Sequence, residues 1–315
     1  AEVLADIGPT IKADFPDVKF FGSENMLAME GGADRQWFYA QAIHDSAAAT
    51  AQLDALAVHG YSDGVLPTPS SATAQLWTTL RSDYAVPMNK PVWMTETSGF
   101  NEIWAEGPME LAKAIYAALS FGNLSLWVWW QGSNLDGINN YSLMQGSAVH
   151  GKKYYVSKSY YRYIRPGARR VSAVATDPEL LTLAFEHPTM GAFTVVIINA
   201  GAAPKDVNLL GDGLPATFAA YRTSASEDTA ELGSLGPSFS VPARSITTLV
   251  DGNVYEHLAP PVDSGDPPDP DPDGGNLAGP SVTTSSCACR EAGASSFAWL
   301  LLLYLSVAMR SRRSA

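Results

Sequence analysis

Cysteine is nearly absent from the chain: two occur in 315 residues, Cys287 and Cys289, both close to the C-terminus. Neither a disulfide framework nor a cysteine metal site therefore staples the core. Positive charge is also scarce, with 20 Lys and Arg against 32 Asp and Glu and a net charge of −12. No basic patch is interleaved with aromatics, which argues against a nucleic-acid partner and fits a neutral polymer better. No glycine-rich phosphate loop follows any strand-like segment, no His/Asp/Glu cluster has metal-ligand spacing, and no Ser/His/Asp set shares a frame. No cofactor and no metal are expected. An initiator methionine and a signal peptide are missing too, so the chain, opening on Ala1, is expected to begin inside a larger protein.

What is present is apolar material, 46% hydrophobic and 10% aromatic, enough for one large or two ordinary domains. Val3, Ile7 and Ile11 predict an amphipathic helix over residues 1–14, interrupted at Gly8-Pro9. Four strand-like segments follow, at 18–22, 53–58, 91–95 and 124–130, each ending in polar or aromatic residues. Glu24, His59, Glu96 and Gln131 mark those ends and recur at intervals of 35, 37 and 35 residues. A period near that length, with helices between, is the pattern of βα units around a parallel sheet. One helix is expected near Leu76 and Leu80. Another starts at Pro108, with Ala112, Ile115, Tyr116 and Leu119 on one face and Gly122 at its end, and a third covers 154–164. In a barrel the reactive groups gather at the C-terminal ends of the strands; a doubly wound sheet is the alternative.

Beyond Arg165-Pro166-Gly167 the pattern changes to short alternating strands at 170–175, 180–186, 192–199, 206–210, 217–223 and 244–250, as in an all-β sandwich. The domain plan is thus a partial barrel over 1–165, a β-sandwich over 166–256, a Pro/Asp-rich disordered linker over 257–286 and a tail over 287–315. The tail joins Cys287 and Cys289 to an apolar run over 297–309, expected to form a short hydrophobic helix, and to Arg310, Arg312 and Arg313. That combination resembles the myxobacterial C-terminal sorting domain (MYXO-CTERM). The resemblance implies export, processing near the cysteines, and a partner in the membrane or the sorting machinery. An ordinary single-pass anchor predicts nearly the same cell-surface location.

Within the strands, the run Trp93-Met94-Thr95-Glu96-Thr97-Ser98 drives one carboxylate out of an apolar segment, which makes Glu96 the candidate nucleophile. Together with Trp127-Val128-Trp129-Trp130-Gln131 and the stretch from Lys152-Lys153-Tyr154-Tyr155 to Arg169-Arg170-Val171, it resembles glycoside hydrolase family 30 over roughly residues 1–252. The resemblance implies a (β/α)8 TIM barrel joined to a side β-domain, with the four strands as the fifth to eighth and only the C-terminal half of the barrel in this chain. It implies a retaining hydrolase of β-linked xylan-, glucan- or galactan-type polysaccharide, with Glu96 as nucleophile. The family's acid/base lies in an Asn-Glu-Pro motif, which does not occur here; Asn101-Glu102 precedes Ile103. Retaining hydrolysis needs a second carboxyl group about 5–5.5 Å from the first. A non-catalytic, truncated surface glycan-binding protein is therefore the alternative function.

The remaining candidate contacts to substrate are His59 and Tyr61, as hydrogen-bond donors to Glu96 or a sugar hydroxyl, Trp130 as an apolar floor, Gln131 at the strand end, and Glu24 as a polar site or loop residue. His59 is alternatively a structural histidine. Adjacent Trp129 and Trp130 point to opposite faces of a strand, so one is expected to line the site and the other to pack. Family members that cleave glucuronoxylan carry basic residues near the eighth strand, and residues 131–141 contain none. Tyr154, Tyr155, Tyr160, Tyr161 and Tyr163 form either an aromatic platform or, on a helix, packing between barrel and sandwich.

Overall fold

The computed structural model describes residues 1–27, 37–60 and 72–251. The expected linker and tail, and Tyr61, lie outside these residues. No helix among the described residues is long and apolar enough to cross a membrane.

The chain opens with helix α1 (Glu2–Asp14), which runs unbroken through Gly8-Pro9 rather than stopping there. The glycine serves packing here. Gly8 is buried where α1 crosses the later helix α3, and a Cβ at that position would come within 2.8 Å of Gln52 Cγ. Strand β1 (Phe21–Met26), helices α2 (Phe38–His44) and α3 (Ala47–Gln52), and strand β2 (Ala55–His59) follow. Next come α4 (Ala72–Thr79), a π-helical turn (Leu80–Ala85), α5 (Val86–Met88), β3 (Val92–Glu96), α6 (Pro108–Ala117), a second π-helical turn (Ala118–Gly122) and β4 (Leu126–Trp127). All four strands are parallel, in the order β1-β2-β3-β4.

This is the mixed α/β arrangement with a parallel sheet expected from the 35-residue spacing. β2 is covered on both faces, with Ala55, Leu56, Ala57 and Val58 all fully buried, as a near-continuous apolar run in a parallel sheet should be. Two boundaries differ from expectation. β1 starts three residues later than the pattern suggested, which puts Glu24 inside the strand, and β4 has only two ladder residues.

After β4 a polar stretch forms a small sheet from β5 (Ser133–Asn134), β6 (Met144–Gln145) and β7 (Val149–His150), and α7 (Lys152–Tyr161) leads out of it. Strands β8 (Arg169–Val171), β9 (Leu180–His187), β10 (Ala192–Asn199), β11 (Lys205–Asn208), β12 (Phe218–Thr223), β13 (Ala230–Leu235), β14 (Ser238–Val241) and β15 (Ser245–Val250) complete the described chain. Six of them form one antiparallel sheet in the order β13-β12-β15-β10-β9-β8, and β11 pairs with β14 as a separate ribbon. The second layer is therefore a two-stranded ribbon rather than a full sheet.

Helices cover the opposite face of the six-stranded sheet. Val196, Ile198 and Ile246 join the core that also holds Leu111, Ile115 and Val156, while Val195, Ile197 and Leu249 face a smaller core with Val241. Tyr160 of α7 and Tyr163 just beyond it both pack. Tyr160 is buried with its hydroxyl donating to Ala112 O at 3.0 Å, and Tyr163 stacks on Tyr221 with ring centroids 4.8 Å apart. Tyr161 is partly exposed.

His187, at the end of β9, is buried (1% exposed). Thr194 Oγ1 donates to Tyr163 O, so it accepts from His187 Nε2 at 3.0 Å, which places the ring proton on Nε2. Burial pushes the His187 pKa below its ordinary 6.5, and the Arg165 charge adds to the drop. The unfolded chain then binds a proton that the folded chain refuses. Stability attributable to His187 is complete above about pH 6.5 and is lost as the pH falls toward the lower folded value. In urea titrations between pH 7.5 and 5, wild type should lose stability that a His187→Gln variant keeps; parallel profiles would refute this.

Candidate active site

Three parallel strands bring side chains to one end of the sheet. Register sets Met26 of β1 opposite His59 of β2, and His59 opposite Glu96 of β3. β1 slips register between Ser23 and Asn25, and the residue at the slip, Glu24, adopts a left-handed backbone with φ 61°. That conformation costs a non-glycine residue about 1–2 kcal/mol. Two side-chain donors, His59 and the single hydroxyl proton of Thr95 shared between both carboxylate oxygens, offset the cost. Glu24 Oε2 accepts from His59 Nε2 at 2.8 Å, and its two oxygens accept from Thr95 Oγ1 at 2.9 and 3.0 Å.

His59 sits between two carboxylates. Its Nε2 is bound to Glu24, and its Nδ1 lies 3.6 Å from Glu96 Oε2, an ion-pair distance rather than a hydrogen bond. The hydrogen bond to Glu24 raises the His59 pKa above its ordinary 6.5 against burial, and the charges of Glu96 and Glu24 add to the rise. All three side chains remain partly open to solvent, at 36% for Glu24, 19% for His59 and 23% for Glu96.

The chain beyond Glu96 is fixed from both sides. Gly60 N donates to Glu96 O at 2.7 Å, and Thr97 Oγ1 donates to Gly60 O at 2.5 Å. Trp130 N donates to Thr97 O at 2.8 Å, which holds the end of the β4 segment beside the end of β3. Trp130 is half exposed, whereas Trp129 is buried, with its Nε1 donating to Tyr141 O at 2.8 Å and its ring 5.7 Å from that of Phe100. Gln131 follows Trp130 across a cis peptide bond; its amide donates to Tyr141 O and its carbonyl accepts from Leu143 N at 3.3 Å.

The structure thus brings together Glu24, His59 and Glu96 directly, and Trp130 and Gln131 through the backbone of the next strand. Tyr61 lies outside the described residues. Thr95 and Thr97 escaped the sequence reading, although they flank Glu96 in an alternating Thr-Glu-Thr that could have identified them. Among the described residues no group of three or more His, Cys, Asp or Glu is placed to hold a metal ion.

No protein-family model matches the chain. Solved structures do resemble it. A GH30 endoxylanase from Clostridium papyrosolvens C71 superposes with a TM-score of 0.61 at 20% identity, covering 78% of this chain and 59% of that one. The family 30 subfamily 8 xylanase Xyn30A from Clostridium acetobutylicum gives 0.58 at 19% identity, over 79% and 59% of the two chains. CelM2, a bifunctional glucanase-xylanase from a metagenome library, gives 0.55 at 18% identity, over 79% and 58%. The likeness is one of fold: the described chain has a fold like that of family 30 glycoside hydrolases. It spans about three fifths of the length of these proteins.

Because His59 titrates above its unfolded value, the stability that it contributes is complete below about pH 6.5 and is lost as the pH rises through the folded pKa. Replacing Glu24 by Gln removes the leading cause of the rise. Imidazole NMR should show His59 titrating above 6.5 in wild type and distinctly lower in Glu24→Gln; an unchanged midpoint would exclude Glu24 as the source.

Proposed function

We propose that this chain carries the nucleophile side of a retaining glycoside hydrolase active on a neutral β-linked polysaccharide. The observation that carries the reading is the position of Glu96: a partly open carboxylate at the C-terminal end of a parallel strand, 3.6 Å from a histidine that Glu24 holds, with exposed Trp130 on the segment that continues from β4. Glu96 attacks the anomeric carbon, forms a glycosyl-enzyme and is released by water. Trp130 offers an apolar face to a sugar ring. His59, bound to Glu24 through Nε2, sets its other ring nitrogen 3.6 Å from the reacting carboxylate. The segment 131–141 has no lysine or arginine, which favours an uncharged glycan over glucuronoxylan.

The second carboxyl group is proposed to come from polypeptide that supplies the remaining strands of the barrel, since Asn-Glu-Pro does not occur in this sequence. The same absence favours a second reading, a glycan-binding surface protein without hydrolytic activity. The tail over 287–315 is proposed to direct export and display at the cell surface, either through sorting machinery or as a membrane anchor.

An activated leaving group separates these readings because it departs without protonation and reports on the nucleophile alone. Incubation with 2,4-dinitrophenyl 2-deoxy-2-fluoro-β-xyloside, -glucoside or -galactoside should add one sugar to the peptide containing Glu96, measured by mass spectrometry, and should add none in Glu96→Gln. Binding of β-glycan oligosaccharides without any adduct would support the second reading. An adduct that persists in Glu96→Gln would remove Glu96 from the mechanism.

A further inference from the structure

Lys153 is the only fully buried lysine among the described residues, and the chemistry proposed above makes no use of it. Its ammonium donates to Phe100 O at 2.8 Å and to Asn139 O at 2.6 Å, lies 3.1 Å from Glu102 Oε1, and sits 5.6 Å from the centre of the Trp129 ring. Phe100 and Glu102 belong to the loop that follows Glu96. Asn139 belongs to the loop that follows Trp130. A buried cation is expensive unless paired and hydrogen-bonded, and here each partner comes from one wall of the site or the other.

We propose that Lys153 is a positioning residue that ties these two loops together and so sets the spacing between Glu96 and Trp130. The proposal rests on the reading of Glu96 as nucleophile.

The surroundings are built for the tie. Glu102 Oε2 accepts from Lys152 N at 2.6 Å, which seats the start of α7 against the loop. Gly151 gives the carboxylate room, since a Cβ there would fall 2.6 Å from Glu102 Oε1. Gly107 closes the other end of the loop, where a Cβ would fall 1.8 Å from the backbone oxygen of Asn101, an atom that cannot move aside. The loop is also braced from the β-domain. Trp104 Nε1 donates to Arg244 O at 2.8 Å, and Lys152 Nζ donates to Ser224 O at 3.0 Å and pairs with Asp228 at 2.5 Å. Two backbone bonds report on the result: Gly99 N donates to Asn140 O, joining the loops directly, and Gln131 N donates to Tyr141 O.

Lys153→Met keeps the volume and removes the donors. Hydrogen exchange on the full chain should show the Gly99 and Gln131 amides exchanging roughly tenfold faster or more, with β10 unchanged, as for a local opening. Labelling of Glu96 by the fluoroglycoside should slow roughly a hundredfold, the scale expected for a displacement of about 1 Å. Lys153→Arg should restore part of both. If Lys153→Met does not fold, Glu102→Gln, which removes the paired charge at constant shape, should loosen the same two amides. Exchange that stays at the wild-type rate, or that rises only in step with β10, would overturn the tie. Loosened loops with an unchanged labelling rate would overturn its positioning role. If wild type takes no label, the nucleophile reading fails instead, and the amide pattern still decides whether Lys153 joins the loops.

Discussion

The contact on which the candidate site depends is the hydrogen bond between His59 and Glu24. It converts two neighbouring strand ends into a charged cluster, because a histidine bound to one carboxylate presents its other nitrogen, 3.6 Å away, to a second. The register of the parallel sheet makes this possible: His59 lies opposite Glu96 only because the β2–β3 pairing shifts at Val58/His59. Glu24 reaches the histidine only because β1 slips at the same level. Two irregularities in adjacent ladders thus point three ionisable side chains at one another, which a regular ladder would have spread over alternating faces.

A cluster of this kind is only as well placed as the segments leaving it, and these are not held by the parallel sheet. Beyond Glu96 and Trp130 the chain is polar and short of regular structure, so its position comes from side-chain bonds to α7 and the β-domain. Lys153, Lys152 and Trp104 make those bonds, and all three reach backbone carbonyls. The six-stranded sheet therefore acts on the site through α7 and the loop over 99–107, without contributing a side chain to it.

Much of this was legible in the sequence for simple reasons. Strands β2 and β3 announce themselves as apolar runs ending in polar residues, and the 35-residue spacing needs no tertiary knowledge. The Pro108 start and Gly122 end of the stretch formed by α6 and its π-helical turn are equally plain, because proline and glycine act on the local backbone. What escaped is tertiary. β13 is a polar strand containing Gly233, with little apolar alternation to mark it, and β14 is too short to show a period. The fit of Gly8 inside α1 depends on Gln52, a residue on another helix. In the sequence Glu24 reads as no more than a polar site or loop residue, because its carboxylate gains its partners only once His59 and Thr95, 35 and 71 residues away, are beside it. In the sequence nothing local distinguishes Lys153 from Lys152, so its burial as a cation shows only in the fold.

The sheet itself sets a further constraint. Among the described residues β1 and β4 are its edges. Leu126 and Val128, on the β4 segment, are 37% and 38% exposed, and Trp130 continues the same row at 50%. Parallel sheets are ordinarily covered on both faces, and an apolar edge with unpaired backbone groups is a pairing surface. Under the proposed function the acid/base carboxyl group has still to be supplied, and its place is at the same end of the same sheet. Strands that paired with β1 and β4 would deliver their own C-terminal ends beside Glu96, because parallel strands share a direction. The backbone requirement and the chemical one are independent in origin, yet a single set of strands would satisfy both. An acid supplied by a separate soluble partner would answer only the chemical one.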